Sequence, residues 1–232
     1  MIVYGSSLSP FVRKVLAFAA EKGVEVEVVA AGLGRGGADF VEASPLGKVP
    51  ALRDAGVDGG RDFVISDSSA ICAYIEAKHP EPVLIPADPI ARARCVWFEE
   101  FADTVLTACG ARMFFNRLVA PRILKRDGDE AVALKAEREE LPPLIEYLEG
   151  VVPEDGFLVG DTLTLADLAV ASPFANLHHL GWMSDPERWP RTVGYVARIL
   201  ARPSFAPLIA AEQRYVVGLL ADTGSGARAG VH

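Results

Sequence analysis

The sequence predicts a chain in two parts: an α/β N-terminal domain on a mixed four-stranded sheet, then an all-α helical-bundle domain. Three observations predict it. Strand and helix patterns alternate over the first third of the chain. A proline-dense stretch follows, with Pro80, Pro82, Pro86 and Pro89. Beyond it the strand signals stop and the apolar residues recur at helical spacing.

The elements can be justified in order. Residues 1–4 are a short apolar run, read as a buried strand. Val12, Val15, Leu16 and Ala19 then recur at i, i+3, i+4 and i+7, the spacing of an amphipathic helix. Gly23 ends that helix. Residues 24–29 alternate Val with Glu, which suits a half-exposed strand. A loosely structured, glycine-rich segment runs from Gly32 to Gly37. Residues 49–53 and 63–66 read as strands, and the short Asp58-Gly59-Gly60 connection makes them an antiparallel hairpin. Residues 70–78 read as a helix facing inward through Ile71 and Ile75. A β-α-β unit needs a parallel pair and the hairpin is antiparallel, so the sheet is mixed. This order matches the thioredoxin-like fold.

Four prolines within 79–89 cannot continue a helix or a central strand, so this stretch is read as a stiff linker. The expected division is a thioredoxin-like domain at 1–79, a linker at 80–89, an all-helical domain at 90–222 and a disordered tail at 223–232. Helices are expected at about 90–119, 129–149, 165–180 and 190–201, with a shorter one near 205–220. Pro142-Pro143 should kink or split the second of them.

Composition narrows the function. Half the residues are hydrophobic and the net charge is −8, which argues against a nucleic-acid partner, because phosphate binding needs a basic face. No apolar run approaches the roughly 18 residues of a membrane span, and the start does not read as a signal peptide, so the expected location is cytoplasmic. Cys72, Cys95 and Cys109 form neither a disulfide framework nor a metal-ligand spacing. Buried packing is the expected role of Cys95 and Cys109.

Three segments carry chemistry. Ser9 precedes Pro10, which suits the first position of a helix, so Ser9 is its N-cap. A helix N-terminus favours an anion, and a hydroxyl donor beside it would help to turn a thiol into a thiolate. Lys48-Val49-Pro50 opens a strand; a cis proline there would expose the Val49 N–H and C=O to a peptide lying alongside. Asp67-Ser68-Ser69-Ala70-Ile71 opens a helix and offers a carboxylate, a hydroxyl and helix N–H groups, enough to hold an amino acid by both ends. Each segment alone also reads as an ordinary cap or turn.

Together these segments resemble the glutathione S-transferase superfamily in its serine-type branches. The resemblance implies that Ser9 supports the glutathione thiolate, that Val49 before Pro50 pairs with the cysteinyl backbone, that Asp67 and Ser68 bind the γ-glutamyl end, and that Lys48 lies near the glycyl carboxylate. Asp67 departs from the family's usual Glu by one methylene. Tyr4, Ser6 and Ser7 are the alternative holders of the sulfur. The resemblance further implies an electrophile pocket including Leu8, Phe11, Met113 and Phe114, glutathione as co-substrate with no metal, a small hydrophobic electrophile as partner, a role in detoxification, and a homodimer. A second family mark is Gly160-Asp161-Thr162-Leu163-Thr164-Leu165-Ala166-Asp167-Leu168. There Thr164 and Asp167 form a capping box, and Leu163 and Leu168 a hydrophobic staple.

The expected function is therefore conjugation of glutathione to a hydrophobic electrophile, with peroxide reduction at the same site as a variant. The other readings are a non-catalytic binding or scaffold protein and a glutathione-dependent isomerase or dehalogenase. Other motifs are weaker. Gly32-x-Gly34-x-x-Gly37 resembles a dinucleotide loop but leaves too few residues for the helix that should follow. His178-His179 has no metal-ligand partners in the sequence and is read as structural.

Overall fold

A computed structural model describes residues 1–221; the expected tail at 223–232 lies outside the described residues. The first part contains β1 (Ile2–Tyr4), α1 (Pro10–Glu21), β2 (Glu27–Val29), α2 (Ala38–Ala43), β3 (Ala51–Asp58), β4 (Arg61–Ser66) and α3 (Ser68–Lys78). The sheet order is β2-β1-β3-β4. β1 pairs with β2 in parallel and with β3 antiparallel, and β3 pairs antiparallel with β4, so the sheet is mixed as expected. The hairpin turns on Gly59 and Gly60, both at positive φ (59° and 86°). That backbone is natural for glycine and twists the turn in the sense that paired strands require.

Two details differ from the sequence reading. β2 is only three residues long, an edge strand with a single neighbour, and its Val28 and Val29 are 48% and 36% exposed, as suits a half-exposed strand. The segment expected to be loose contains a six-residue helix, α2, which buries Phe40 and Ala43 against Tyr4 and Ala51. Those two apolar residues outweigh the glycines before them.

The helical part comprises α4 (Pro89–Glu100), α5 (Thr107–Phe114), α6 (Glu130–Lys135), α7 (Leu141–Val151), α8 (Leu165–His179), α9 (Pro190–Leu200) and α10 (Ala206–Ala221). Wide π-helical turns at Phe101–Leu106 and Phe115–Ile123 extend α4 and α5 into one long rod, and another at Ala136–Glu140 joins α6 to α7. The break expected at Pro142-Pro143 takes this form. The α register is interrupted before the prolines, but the chain stays helical, with both prolines in the first turn of α7. α10 falls where expected, near 205–220, but at 16 residues it is not shorter than α8 or α9. No helix among the described residues is long and apolar enough to cross a membrane.

α8 is the central helix. It is buried continuously from Leu165 to Leu177 and packs against α1, α4, α5 and α9. A helix that is apolar all round must be covered on every side. Its start is fixed by Asp167, which accepts from the Thr164 N–H (2.8 Å) and hydroxyl (3.1 Å). The segment between α3 and α4 is pinned from both parts: Lys22 donates to the Pro82 carbonyl (2.5 Å), and the Leu165 N–H to the Leu84 carbonyl (2.8 Å).

Candidate functional site

The register of the sheet assembles the site. Tyr4 pairs with Ala51, and Ala51 with Ser66. β1 and β4 therefore leave the sheet at the end where β3 enters it. Residues 5–9, the Lys48-Val49-Pro50 entry and Asp67-Ser68 all emerge at this one end, and the Asp67 N–H donates to the Pro50 carbonyl (3.3 Å). The glycine-rich loop arrives there too. A Cβ on Gly32 would lie 3.2 Å from a Val49 methyl.

Ser9 is the N-cap of α1, with Pro10 in the first turn. Its Oγ accepts from the Val12 N–H at 3.5 Å, a long bond. Capping uses a lone pair and leaves the hydroxyl proton free for another acceptor. The first turn of α1 carries no acidic residue, so no side-chain charge offsets its positive end. Ser6 Oγ accepts from the Leu8 N–H (3.4 Å), and the Ser7 side chain helps to lower the Glu212 carboxyl. The Tyr4 hydroxyl accepts from Arg53 (3.3 Å), and its ring lies on the α2 side of the sheet against Phe40, 6.0 Å between centroids.

The Val49–Pro50 peptide is cis, and neither the N–H nor the C=O of Val49 has a hydrogen-bond partner among the described residues. Lys48 is exposed and makes no ion pair there, while its carbonyl is held by the Ser44 hydroxyl (2.7 Å). Asp67 has φ +89°, a region that side-chain-bearing residues rarely occupy and that concentrates at functional sites. Its Oδ1 accepts from the Ser69 and Ala70 N–H groups (2.9 and 3.1 Å), so it caps α3 while Oδ2 is left for another donor. Ser68 is buried beside it.

Of the expected pocket residues, Leu8 packs with Phe114, Leu118, Val119, Leu180 and Val216 in a small apolar cluster of its own. Phe11 is half-buried. Met113 has no exposed surface and belongs to the main core. All three cysteines are free and buried, and burial pushes the Cys95 thiol up to about 11. None is suited to act as a thiolate near neutral pH. Among the described residues no cluster of His, Cys, Asp and Glu could hold a metal ion.

The sequence reading missed the supports of the Ser9 turn. Asn176 Nδ2 donates to the Leu8 carbonyl and Ser172 Oγ to the Pro10 carbonyl, both at 2.8 Å, so α8 grips the chain on either side of Ser9. Arg13, fully buried, ties these groups together. Its Nη1 donates to the Ser172 carbonyl (2.7 Å) and to Asn176 Oδ1 (2.8 Å), and its Nη2 to Glu212 on α10 (2.7 Å). Beside it Lys14, almost as buried, pairs with Glu99 (2.9 Å) and Asp103 (2.5 Å). A Ser and an Asn spaced four apart in an otherwise apolar helix were the available signal, since buried polar side chains need partners.

Gly5 sets the distance between the turn and the Val49 strand entry. At φ +148°, an added Cβ would come within 2.5 Å of a Val12 methyl and 3.4 Å of Val49 Cβ. Gly5→Ala is therefore expected to lower stability by about 1–3 kcal/mol in chemical denaturation. An unchanged midpoint would show that the turn has room to move.

Comparison with known proteins bears on the family and the fold. Residues 3–83 match the family model described as "Glutathione S-transferase, N-terminal domain", and 118–212 match "Glutathione S-transferase, C-terminal domain". The chain is 31% identical to glutathione S-transferase 3 of Zea mays, over 90% of this chain and 93% of that one. It is 29% identical to the stringent starvation protein A homolog of Coxiella burnetii, over 88% and 89%. The crystal structure of a glutathione S-transferase from Rhodospirillum rubrum F11 superposes with a TM-score of 0.78 at 27% identity, covering 89% of this chain and 90% of that one.

Proposed function

The chain belongs to the glutathione S-transferase family, and from that premise we propose that it is a glutathione transferase in which the Ser9 hydroxyl donates to the glutathione sulfur. The observation that carries this reading is the convergence of the Ser9 turn, the unpaired Val49 backbone and the Asp67-Ser68 cap at one end of the sheet. The Val49 N–H and C=O pair with the cysteinyl backbone. The free oxygen of Asp67 takes the γ-glutamyl ammonium, Ser68 the adjoining carboxylate, and Lys48 the glycyl carboxylate. The Ser9 proton and the unopposed N-terminus of α1 stabilise the thiolate. Its sulfur then bonds to the electrophilic carbon, and the leaving group departs with the electron pair of the bond that breaks. Leu8, Phe11 and Phe114 form the apolar wall for the electrophile, with Met113 packed behind. The same thiolate could attack the O–O bond of a peroxide, a second glutathione then serving as reductant. In this reading the protein is a cytoplasmic homodimer in detoxification, with a glutathione-binding domain at 1–79, a linker at 80–89 and a helical domain from 90. Ser9 is preferred over Tyr4 because Tyr4 is buried on the α2 side of the sheet, against Phe40.

A second reading is a binding protein with little turnover; the relative named as a stringent starvation protein A homolog carries no transferase in its name. The absorbance of bound glutathione against pH separates the two. A transferase should show a thiolate band at neutral pH, its apparent pKa about two units below the ~8.5 of a free thiol. Ser9→Ala should move that pKa up by about 1–2 units, the worth of one charge-assisted hydrogen bond. Ser9→Gly, which keeps most of the capping ability, should do the same with little loss of stability. Glutathione bound without a thiolate band would favour the binding protein. A band that survives both substitutions would remove Ser9 from the sulfur.

A further inference from the structure

Resting on the transferase reading, we propose that the acceptor substrate carries an anionic group, a carboxylate, held by Arg122 with Lys125 and Arg126 at the rim. The first observation is an unmet donor. Arg122 Nε is buried and has no hydrogen-bond partner. Among the described residues Arg122, Lys125 and Arg126 make no ion pair, whereas on the same rod Arg117 holds Glu130 (2.7 Å) and Glu137 (2.6 Å), and Arg112 pairs with Glu140. In a chain of net charge −8, three unpaired cations within five residues are a local reversal of the overall balance.

The second observation is where they stand. Phe114, Leu118 and Arg122 recur at four-residue intervals, each a little short of one turn in the wide helix there, which keeps them near one side of the rod. Phe114 and Leu118 pack with Leu8, the residue next to Ser9, and with Val216 of α10. The cationic segment thus lies one turn beyond the apolar cluster that borders the proposed thiolate. It is held rather than loose. The Leu124 N–H donates to the Val119 carbonyl (2.9 Å), the Arg126 N–H to the Ala120 carbonyl (3.0 Å), and the Arg126 guanidinium sits 5.2 Å from the Phe115 ring centre. Farther along, Gly128 approaches Asn116 so closely that a Cβ would lie 1.9 Å from its carbonyl oxygen, and Asn116 Oδ1 accepts from the Asp129 N–H (2.9 Å).

A buried guanidinium N–H without a partner is costly, and a carboxylate satisfies it through two parallel bonds. An apolar wall ending in such a group fits an amphiphilic acid: the reactive carbon against Leu8, its apolar body along Phe114 and Leu118, and the carboxylate at Arg122, about one turn beyond Leu118.

The test uses two acceptors differing only in charge, 4-chloro-3,5-dinitrobenzoate and its methyl ester, with the full-length protein and glutathione. In both, the sulfur bonds to the chlorine-bearing carbon, chloride leaves with the C–Cl electron pair, and the thiol proton passes to solvent. After correction for the uncatalysed rates, the acid should have a KM about tenfold or more below that of the ester. The ratio should fall toward one in Arg122→Gln, be partly kept in Arg122→Lys, and shrink with added salt. Calorimetry with the two finished glutathione conjugates measures the same preference without turnover. Equal KM values for acid and ester, or a ratio insensitive to Arg122, would overturn the anion site and leave the transferase reading standing. No turnover of either acceptor, with an Arg122-dependent preference for the acid conjugate, would remove the transferase reading and keep the site. Neither turnover nor preference would remove both.

Discussion

Replacing Glu212 with alanine is expected to lower stability by about 3–5 kcal/mol, the range for breaking a buried ion pair from one side. The Glu212 carboxylate accepts from Arg13 Nε (3.0 and 3.1 Å) and Nη2 (2.7 Å), and it bonds His179 Nε2 at 2.8 Å. The Arg13 side chain is 0% exposed and that of Glu212 2%. Without the carboxylate, one edge of a dry guanidinium loses every partner, although Ser172 and Asn176 still hold the other edge. The double variant Arg13→Met with Glu212→Leu should recover only part of the loss: apolar residues replace the ion pair at little cost, but Asn176 Oδ1 and His179 Nε2 lose their partners. Urea unfolding of wild type, single and double variants reads this directly. A loss below about 1 kcal/mol in Glu212→Ala would mean that water reaches the pair. The pair also gives a pH dependence. Burial pushes the Glu212 carboxyl up, but the His179 hydrogen bond and Arg13 outweigh burial, and the net shift is downward from 4.5. A lowered carboxylate contributes fully above its unfolded value and loses that contribution as pH falls through the folded one. Wild type should therefore lose more stability than Glu212→Gln as pH drops below about 4.5.

Asp167 is the second position where one side chain matters most. Its Oδ1 accepts from the Leu158 N–H and the Tyr195 hydroxyl (both 2.8 Å), and its Oδ2 from the Thr164 N–H (2.8 Å) and hydroxyl (3.1 Å). It has no exposed surface. Asp167→Ala strands these donors inside the protein, and a loss of about 3 kcal/mol or more is expected, since each unsatisfied buried group costs about 1–3 kcal/mol. Asparagine should rescue poorly. Both oxygens face donors, so whichever way the amide turns, its NH2 meets a donor. Thermal unfolding and soluble yield check both variants. An Asp167→Asn protein as stable as wild type would show that the four donors find water instead. Tyr195→Phe removes only one of them and should cost about 1 kcal/mol.

Much of the fold could be read from the sequence because its signals were local. Pro10 after Ser9, glycines at the hairpin turn and the Thr164–Asp167 spacing each specify backbone within a few residues. So did Ile71 and Ile75, both fully buried. What escaped was set by partners distant in sequence. α1 was read as amphipathic from Val12, Val15, Leu16 and Ala19, yet residues 12–19 are buried without a break, including Arg13 and Lys14. No pattern within α1 announces that α8 and α10 cover its other side with Asn176, Ser172 and Glu212. The same holds for the wide helical turns, two of which lie at Pro121 or just before Pro142, and for α2, which exists because Phe40 reaches Tyr4. At the site, the sequence could nominate Ser9, Val49 and Asp67, but only strand register brings their segments to one end of the sheet.

The Arg13–Glu212 pair has a consequence for synthesis. The two residues are 199 positions apart. While the chain emerges from the ribosome, the sheet and α1 can be complete long before Glu212 has been made. Until then Arg13 has no carboxylate on that edge, and the first part presents a charged patch among apolar side chains. The grip on the Ser9 turn from α10 is thus the last to close during translation, and a chain stopped before α10 would carry the turn without it. A ribosome-stalled series of lengthening chains should therefore acquire protease resistance at residues 5–9 only once α10 has cleared the exit tunnel.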